Sequence, residues 1–424
     1  IRLSLVGSEM CIRDSFNSVR DTWRKNMKKI RVVQLIHGLN MGGAEALVKE
    51  YALRLDKNKF EVVILCYERL DSPYYKILED ADIPIIYACD SIPTWGKRDI
   101  LSRIVNHFGL YFVLKKKMRK LKPDVVHNHL CLNRYIKFAH LPTSVRILYT
   151  QHFDVQNWNK RYNKDVLAVK FLLRHYRMKI IALNDEMRKK ICDIFSNEYN
   201  NDITVLKNGI DIKKFKQAKS KEEIRKELGI AKDAFVVGHV GRFTAIKNHA
   251  YLLKVFREIK ERNNRAILLL VGSGDEKRNI IEKSKEYGFY DNLMILSNRT
   301  DVHDLLRSMD VMVFPSISEG IPLTLIEAQI SGLRCIVSNT VTSEIAISNL
   351  IKFKNIDDNP LEWAEIALDC KETDIHYSGV EEWDIDNVVR KLEKLYEFGW
   401  MDDEKDINLS LIHISEPTRL RRIS

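Results

Sequence analysis

Two doubly wound, Rossmann-like α/β domains facing across a cleft are the fold class the sequence predicts, and three observations carry it. Short apolar runs rich in β-branched residues alternate with longer amphipathic stretches along most of the 424 residues. The alternation halts once, at the turn signal Asn208-Gly209-Ile210-Asp211 and the lysine-rich stretch behind it, and then starts again. Strands spaced by helices build parallel sheets from βαβ units, so one interruption implies two sheets with a hinge near residue 210. In such sheets ligands bind at the carboxyl ends of the strands, and the polar motifs of this chain follow its predicted strands.

The elements, in order, are these. The first domain, 27–207, has strands predicted at Ile30–Ile36, Glu61–Cys66, Val125–His127, Arg146–Thr150, Lys179–Ala182 and Ile203–Leu206, with a helix over Ala44–Leu55. The second, 208–377, has strands at Phe235–Val240, Ala266–Val271, Met294–Leu296, Val311–Phe314 and Arg334–Ser338, with helices over His249–Arg262 and Glu276–Tyr287. The two ends of the chain are set aside. Leu5–Ser15 and Leu409–Arg419 can be encoded by opposite strands of one DNA segment, so they are read as a translated sequencing adaptor flanking the gene. Residues 1–26 are taken as a non-native leader, with Met27 a possible start, and 409–424 as an adaptor-derived tail.

Composition excludes several classes. The chain is 45% hydrophobic and 30% charged, with nine prolines and seventeen glycines, so it is neither disordered nor fibrous. Its seven cysteines form no CxxC pair, which disfavours a zinc cluster or disulfide scaffold and suits a reducing compartment. No apolar run approaches the ~18 residues of a membrane span. Charge is unevenly placed. Residues 27–200 carry 31 Lys and Arg against 18 Asp and Glu, whereas 201–424 carry 33 against 37. The densest basic stretch, Phe108–Lys122, is apolar and then basic. It reads either as the charged face of an ordinary surface helix or as a basic amphipathic helix resting on an anionic membrane. Nucleic acid is disfavoured, since no aromatic stacking platform accompanies the charge.

Four motifs carry candidate chemistry. Gly42-Gly43 follows the first strand and opens a helix, where backbone N–H groups favour an anion; a tight turn without a ligand fits equally well. His127-Asn128-His129 ends a strand, as does Gln151-His152, and each histidine reads either as a site group or as a satisfied structural one. The two HNH rings are expected on opposite strand faces and therefore not as a metal pair. Arg242 and Lys247 follow the strand Phe235–Val240, placing a bidentate fork and a point charge where they could clamp a diphosphate; taken alone they could be solvated surface cations. The fourth, Phe314–Glu327, reads FPSISEGIPLTLIE: a strand end, a loop with Glu319 and Gly320, Pro322 at a helix start, and Glu327 after seven intervening residues. Gly320 permits close backbone approach, the helix start offers free N–H groups, and two carboxylates can grip hydroxyls.

With these motifs on the page, the chain resembles family 4 of the retaining nucleotide-sugar glycosyltransferases, which have the GT-B fold. The match covers about Ile30 to Glu344, including NGID, GRFTAIKNH, VGSGDE, SNRTDV and the E-x7-E motif, and is most like enzymes of capsule and exopolysaccharide assembly. The resemblance implies that Arg242 and Lys247 hold the donor diphosphate, with Gly42 and Gly43 closing on it from the acceptor-side first domain. It implies that Glu319, with backbone from Gly320, Ile321, Pro322 and Leu323, contacts the donor sugar, that Glu327 binds ribose, and that Arg299 lies near the base. His129 is the preferred match to the family's active-site histidine, with His127 the alternative. The catalytic set is thus His129, Arg242, Lys247 and Glu319, the second domain binds the nucleotide sugar, and helices over 378–408 cross back to the first.

Expected from the same resemblance is a hexosyltransferase-type enzyme. It would move a sugar from a nucleotide sugar, UDP foremost, to a glycan or polyprenyl-diphosphate-linked acceptor in cell-surface polysaccharide synthesis. The family mechanism is a same-face displacement without a protein nucleophile. No cofactor is expected, the nucleotide sugar being a substrate, and no metal, because neither Asp80–Asp82 nor Asp384–Asp386 sits at a convincing strand end. Nucleic acid is not expected as a partner; cytoplasmic residence with peripheral contact to the inner membrane face is. The competing readings are a nucleotide-sugar epimerase or hydrolase of similar fold and a nonenzymatic sugar-nucleotide binder.

Overall fold

The computed structural model describes residues 28–398 apart from 41, 71, 98, 153–154, 156–157, 159–162 and 370–373. The segments read as adaptor-derived, Met27 and residues 399–408 lie outside the described residues.

The first sheet comprises β1 (Ile30–Ile36), β2 (Phe60–Cys66), β3 (Ile85–Tyr87), β4 (Val125–His129), β5 (Arg146–Thr150), β6 (Arg177–Ala182) and β7 (Ile203–Val205). All its pairings are parallel, in the order β3-β2-β1-β4-β5-β6-β7. The second comprises β8 (Phe235–Val240), β9 (Ala266–Val271), β10 (Leu293–Leu296), β11 (Val311–Phe314), β12 (Arg334–Ser338) and β13 (Ile351–Lys354), ordered β10-β9-β8-β11-β12-β13 and also parallel. Helices cover both faces, so central strands such as VVILC in β2 read as unbroken apolar runs and are buried throughout. The sequence reading does not include the short edge strands β3 and β13.

Each sheet has one topological switch point, between β1 and β4 in the first and between β8 and β11 in the second. A crevice opens there beyond the carboxyl ends of the strands. The helices that matter for it are α1 (Gly43–Arg54), α2 (Ile100–Leu121), α3 (Asp185–Ile194), α4 (His249–Arg262), α5 (Leu323–Ile330) and α6 (Ile385–Phe398).

Helix α6 follows the second sheet in sequence but packs under the first. Ile385, Val388, Val389, Leu392 and Tyr396 recur at three- and four-residue spacing, which aligns them on one helix face. All five are buried in one core with Val32, Ile36, Val48 and Tyr51; each fully buried aliphatic side chain there is worth ~1.5–3 kcal/mol. The NGID turn is stapled to the start of this helix. Ile210 N donates to Trp383 O at 2.6 Å and Ile385 N to Ile210 O at 3.0 Å. A Cβ on Gly209 would come within 2.7 Å of Ile385 Cα, so the close approach requires glycine. Arg54 of α1 bridges the same junction, bonding Glu50, Asp211 and Asp386.

Candidate active site

The loop after β8 and the loop after β11 are the structural basis of the charged half of the site. Ile317 N donates to Ile246 O at 2.8 Å, which ties the two loops together. The tie brings Lys247 Nζ to 2.7 Å from Glu319 Oε1 and 4.7 Å from the centroid of the Phe314 ring. Glu319 Oε1 is buried, with this ammonium as its ion-pair partner. A third loop, Gly272–Gly274, is clamped on the first by Phe243 N to Ser273 O at 2.8 Å. A Cβ on Gly272 would overlap the Gly241 carbonyl, and one on Gly274 the Phe243 carbonyl, which explains why the VGSGDE motif needs both glycines.

Arg242 is exposed and reaches toward the other sheet. A Cβ placed on Gly42 would lie 3.3 Å from Arg242 Nη2 and 3.0 Å from the Glu45 carboxyl carbon. Gly42 caps α1 with extended backbone and Gly43 has open space around it, while the Glu45 carboxylate folds back over the helix start onto its own backbone N–H. Burial pushes the Glu45 carboxyl above its ordinary range, and Arg242 partly offsets this. The structure therefore joins Gly42 with Arg242, and Lys247 with Glu319.

Helix α5 begins at Leu323 with Pro322 at its cap. Pro has no N–H to lose at a helix start, and no side chain covers the first N–H groups there. Glu327, half-buried on this helix, has its carboxyl raised to about 7 by burial, opposed by Lys214 and Lys49. Tyr74 of the first domain feels Glu327, Glu45 and Glu50 together, and its hydroxyl is pushed up to about 12, chiefly by burial. Arg299 lies outside these contacts: it folds back on Asp301, with Nε 2.7 Å from Oδ1 and a second nitrogen on the other oxygen.

The histidines depart from the sequence reading. β4 runs two residues past His127 and includes His129, because its pairing with β5 continues to His129 opposite Thr150. Residues two apart on a strand share a face, and the two rings lie side by side with centroids 4.2 Å apart. The expectation of opposite faces is thereby corrected. Both rings are wholly buried. His127 bonds Tyr396 Oη (2.6 Å) and Thr150 Oγ1 (2.7 Å), and His129 bonds Gln34 Oε1 (2.9 Å) and His152 Nε2 (2.9 Å). His152 is the partly exposed member. Its carbonyl oxygen would lie 3.4 Å from a Cβ on Gly320, so it abuts the Glu319 loop across the cleft. The strand-end position of His152 is visible in the sequence; its coupling to His129 depends on strand register and is not.

Beside Glu319 and Gly320 the cleft opens into a cavity of about 680 Å³, lined by Asn184 and Met187 from α3 and its cap, and by Thr340 and Ser343 from the second domain. No group of three or more His, Cys, Asp or Glu side chains among the described residues is arranged to hold a metal ion.

Two opposed parallel sheets whose switch points share a cleft, one side cationic and carboxylate-bearing, define the GT-B class of glycosyltransferase folds. Solved structures agree on the fold. HepE of Anabaena, in complex with UDP and glucose, superposes with a TM-score of 0.64 at 17% identity over 91% of this chain and 99% of its own. WaaG, a glycosyltransferase involved in lipopolysaccharide biosynthesis, gives 0.63 at 16% over 87% and 100%. Residues 41–214 match the family described as Glycosyltransferase Family 4, and 220–352 match Glycosyl transferases group 1. The chain belongs to family 4 of the glycosyltransferases. Among curated relatives, the UDP-Gal:alpha-D-GlcNAc-diphosphoundecaprenol alpha-1,3-galactosyltransferase of Escherichia coli is 28% identical over 350 residues, covering 78% of this chain and 85% of the relative. The capsular polysaccharide biosynthesis glycosyltransferase CapH of Staphylococcus aureus is 23% identical over 382 residues, 87% of this chain and 98% of the relative.

Proposed function

We propose that this glycosyltransferase acts in capsular or exopolysaccharide synthesis, moving a sugar with retention of configuration from a UDP-sugar to a polyprenyl-diphosphate-linked or glycan acceptor. The observation that carries the reading is the convergence of Arg242 with Gly42 and of Lys247 with Glu319 at the two switch points. A diphosphate entering between them meets a guanidinium fork and an ammonium, both favouring negative charge. Without donor, Lys247 and Glu319 hold one another. With donor, the ammonium turns to phosphate oxygens and the carboxylate to sugar hydroxyls. Glu327 serves ribose in the same way, and Arg299 lies toward the base. The departing diphosphate oxygen takes the proton of the attacking acceptor hydroxyl on the same face, so the chain supplies charge stabilisation and orientation rather than a nucleophile. The printed names of the relatives support the donor and acceptor classes. The test is a panel of UDP-sugars with an undecaprenyl-diphosphate-linked sugar, the product's anomeric configuration being read by NMR. Inversion, or donor turnover that ignores every acceptor, would overturn the reading.

A peripheral seat on the inner face of the cell membrane belongs to the same proposal. No described helix is long and apolar enough to cross a membrane. Helix α2 instead turns an apolar stripe to solvent: Ile100, Leu101, Ile104, Val105, Phe108 and Phe112 are exposed, while Leu110, Leu114 and Met118 are buried. Within the apolar part of that stretch, Phe108 and Phe112 are therefore available and Leu110 is core. Lys115, Lys116, Lys117, Arg119 and Lys120 continue the helix. An anionic bilayer matches both features, with ~1 kcal/mol per apposed cation, attenuated over ~8 Å at physiological salt. Co-sedimentation with vesicles should fall with salt and with loss of anionic lipid. It should also fall at least tenfold when the four lysines become Glu, on that per-charge estimate. Binding indifferent to all three would refute the helix as the docking surface.

A further inference from the structure

At the starts of β5 and β6, the end of the first sheet away from the cleft, lies a cavity of about 500 Å³ lined by Thr143, Ser144, Arg174, His175, Tyr176 and Arg177. β5 spans five residues, so about 15 Å of sheet separates the cavity from the strand ends that face the second domain. The turn before β5, closed by Val145 N to Pro142 O at 3.0 Å, supplies the two hydroxyls. The last turn of the helix Asn163–His175 and the first residue of β6 supply the basic groups. No acid among the described residues lines the cavity. Neither Arg174 nor Arg177 makes an ion pair or a side-chain hydrogen bond among the described residues. A further cation, Arg146, pairs with Arg177 in the β5–β6 register and feels its repulsion.

Cations in the last turn of a helix complement its dipole, which accounts for Arg174 and His175. It does not account for Arg177 on the strand beyond, nor for two hydroxyls from a separate turn that line the same space. The composition is that of an anion site: forked donors, hydroxyls and no competing carboxylate.

A run of ring and cation contacts joins this cavity to the exposed stripe of α2 across the outside of three helices. Phe112 meets Phe138 of the helix Asn133–Ala139 edge-on at 5.4 Å, and Lys115 Nζ lies 5.1 Å from the centroid of the Phe138 ring. Lys137 Nζ lies 4.6 Å from the centroid of Phe171 on the helix Asn163–His175, and the Phe171 ring is 4.6 Å from that of His175 at the cavity. Phe112 is 62% exposed and Leu167 64%, so the first and last helices of this layer both present apolar side chains to solvent.

We propose that the cavity is a second anion site, remote from the cleft, which takes the phosphate of an anionic lipid headgroup. The arginine forks and the Thr143 and Ser144 hydroxyls donate to phosphate oxygens, while the apolar side chains of α2 enter the acyl boundary. The proposal rests on the membrane seat inferred above. It adds a fixed point of contact, which the lysines of α2, a row of point charges, do not supply.

The test is co-sedimentation of the full-length protein with phosphatidylcholine vesicles, with and without phosphatidylglycerol. Changing both arginines to alanine should weaken binding to the anionic vesicles about 10- to 30-fold, as loss of two apposed cations would. Two milder variants separate a pocket from a diffuse basic surface. Arg174→Lys with Arg177→Lys keeps the charge and loses the forks, and Thr143→Val with Ser144→Ala loses only hydroxyls. Each pair should weaken binding about 3- to 10-fold. Donor turnover with a soluble acceptor should stay at the parent level in all of them, since the cavity lies at the far end of the sheet; this also checks that each variant folds. Parent-like binding by both milder pairs would overturn the proposal, because diffuse charge alone predicts that pattern.

Calorimetry with glycerol 3-phosphate and with inorganic phosphate distinguishes the source of the phosphate. Glycerol 3-phosphate should compete with the vesicles and give no binding heat with the alanine pair. Inorganic phosphate bound by the parent and not by the alanine pair, with vesicle binding equal in the two, would assign the cavity to a free phosphate and overturn the lipid assignment. A parent protein indifferent to anionic vesicles would overturn the membrane seat and this site together. Binding lost when Lys115, Lys116, Lys117 and Lys120 become Glu, but unchanged in every cavity variant, would overturn this site and leave the seat. The transferase reading stands or falls by the donor panel alone.

Discussion

The two switch points face one cleft with opposite chemistry. At the first sheet the strands carry three neutral imidazoles, an amide and a threonine, locked together with Tyr396 of α6 and mostly buried. The loops and helix after the second sheet's strands carry Arg242, Lys247, Glu319 and Glu327, with Arg242 exposed and Lys247 and Glu319 in an ion pair. The difference teaches where charge has to be met. On the proposed reading a diphosphate brings charge to the second sheet, where Arg242 and Lys247 would offset it. Sugar hydroxyls bring none, and a neutral, fully paired network can orient them at little desolvation cost.

The largest effect should come from breaking the charged side. Arg242→Ala or Lys247→Ala removes a charge-assisted contact to the leaving group, and loss of one such donor in a transition state costs ~10²–10³ in rate. Lys247→Ala also strands the Glu319 carboxylate. Steady-state kinetics at saturating donor, alongside a melting curve showing retained fold, give the measurement. Near-parent kcat in either variant would erase the contrast between the two sides.

Much of the charged side was legible in the sequence, because its residues lie next to a strand end or helix start and their positions follow from local pattern. Arg242, Lys247, Glu319 and Pro322 all fall within a few residues of β8, β11 or α5. The neutral side was legible only in part. His127 and His129 were visible as a strand end, but their burial and shared face follow from the β4–β5 register. Their partner Tyr396 arrives 269 residues after His127, on a helix whose destination depends on the Gly209 junction. Separations of that kind leave no periodic trace.

That junction offers the next test, since it separates stability from chemistry. Gly209→Ala would press a methyl against Ile385 and its backbone. Overpacking of this kind costs ~1–3 kcal/mol, measurable as a lowered denaturant midpoint with unchanged slope. Because α6 carries Tyr396, which bonds the buried His127, activity per folded molecule should drop modestly rather than to the level of Lys247→Ala. A loss as deep as that variant's would mean that the junction positions the charged side too.

A smaller effect is expected from pH. Glu327 holds its proton up to about 7 when folded, against an ordinary value of 4.5. Between those values the folded state binds more protons than the unfolded one, so stability should fall as pH rises from 4.5 to 7 and then level off. The groups facing it are Lys49, Lys214, Tyr74, Glu45 and Glu50, of which Glu45 is also raised by burial. Donor affinity should move the other way, since an ionised carboxylate accepts ribose hydroxyls better: donor KM should fall several-fold through pH 7, as one charged hydrogen bond allows. Glu327→Gln should flatten both profiles; an unchanged donor profile in that variant would take the carboxylate out of the ribose site.

The smallest expected effect is none at all: transfer with excess chelator should match transfer with magnesium. On the proposed reading Arg242 and Lys247 would meet the diphosphate, so a divalent ion would add charge where fixed cations already stand. The two Asp-x-Asp sequences are poorly placed to bring one. Asp386 is committed to Arg54 and Lys213, each at 2.7 Å, and Asp384 Oδ1 accepts the Asp386 N–H at 2.8 Å. Asp80 and Asp82 flank the end of a surface helix, with Asp82 in the left-handed backbone region of a turn. Activity lost on chelation and restored by magnesium or manganese would show that the cations of the second sheet do not suffice. The contrast between a self-sufficient charged side and a neutral one would then have to be redrawn with the metal as its main positive charge.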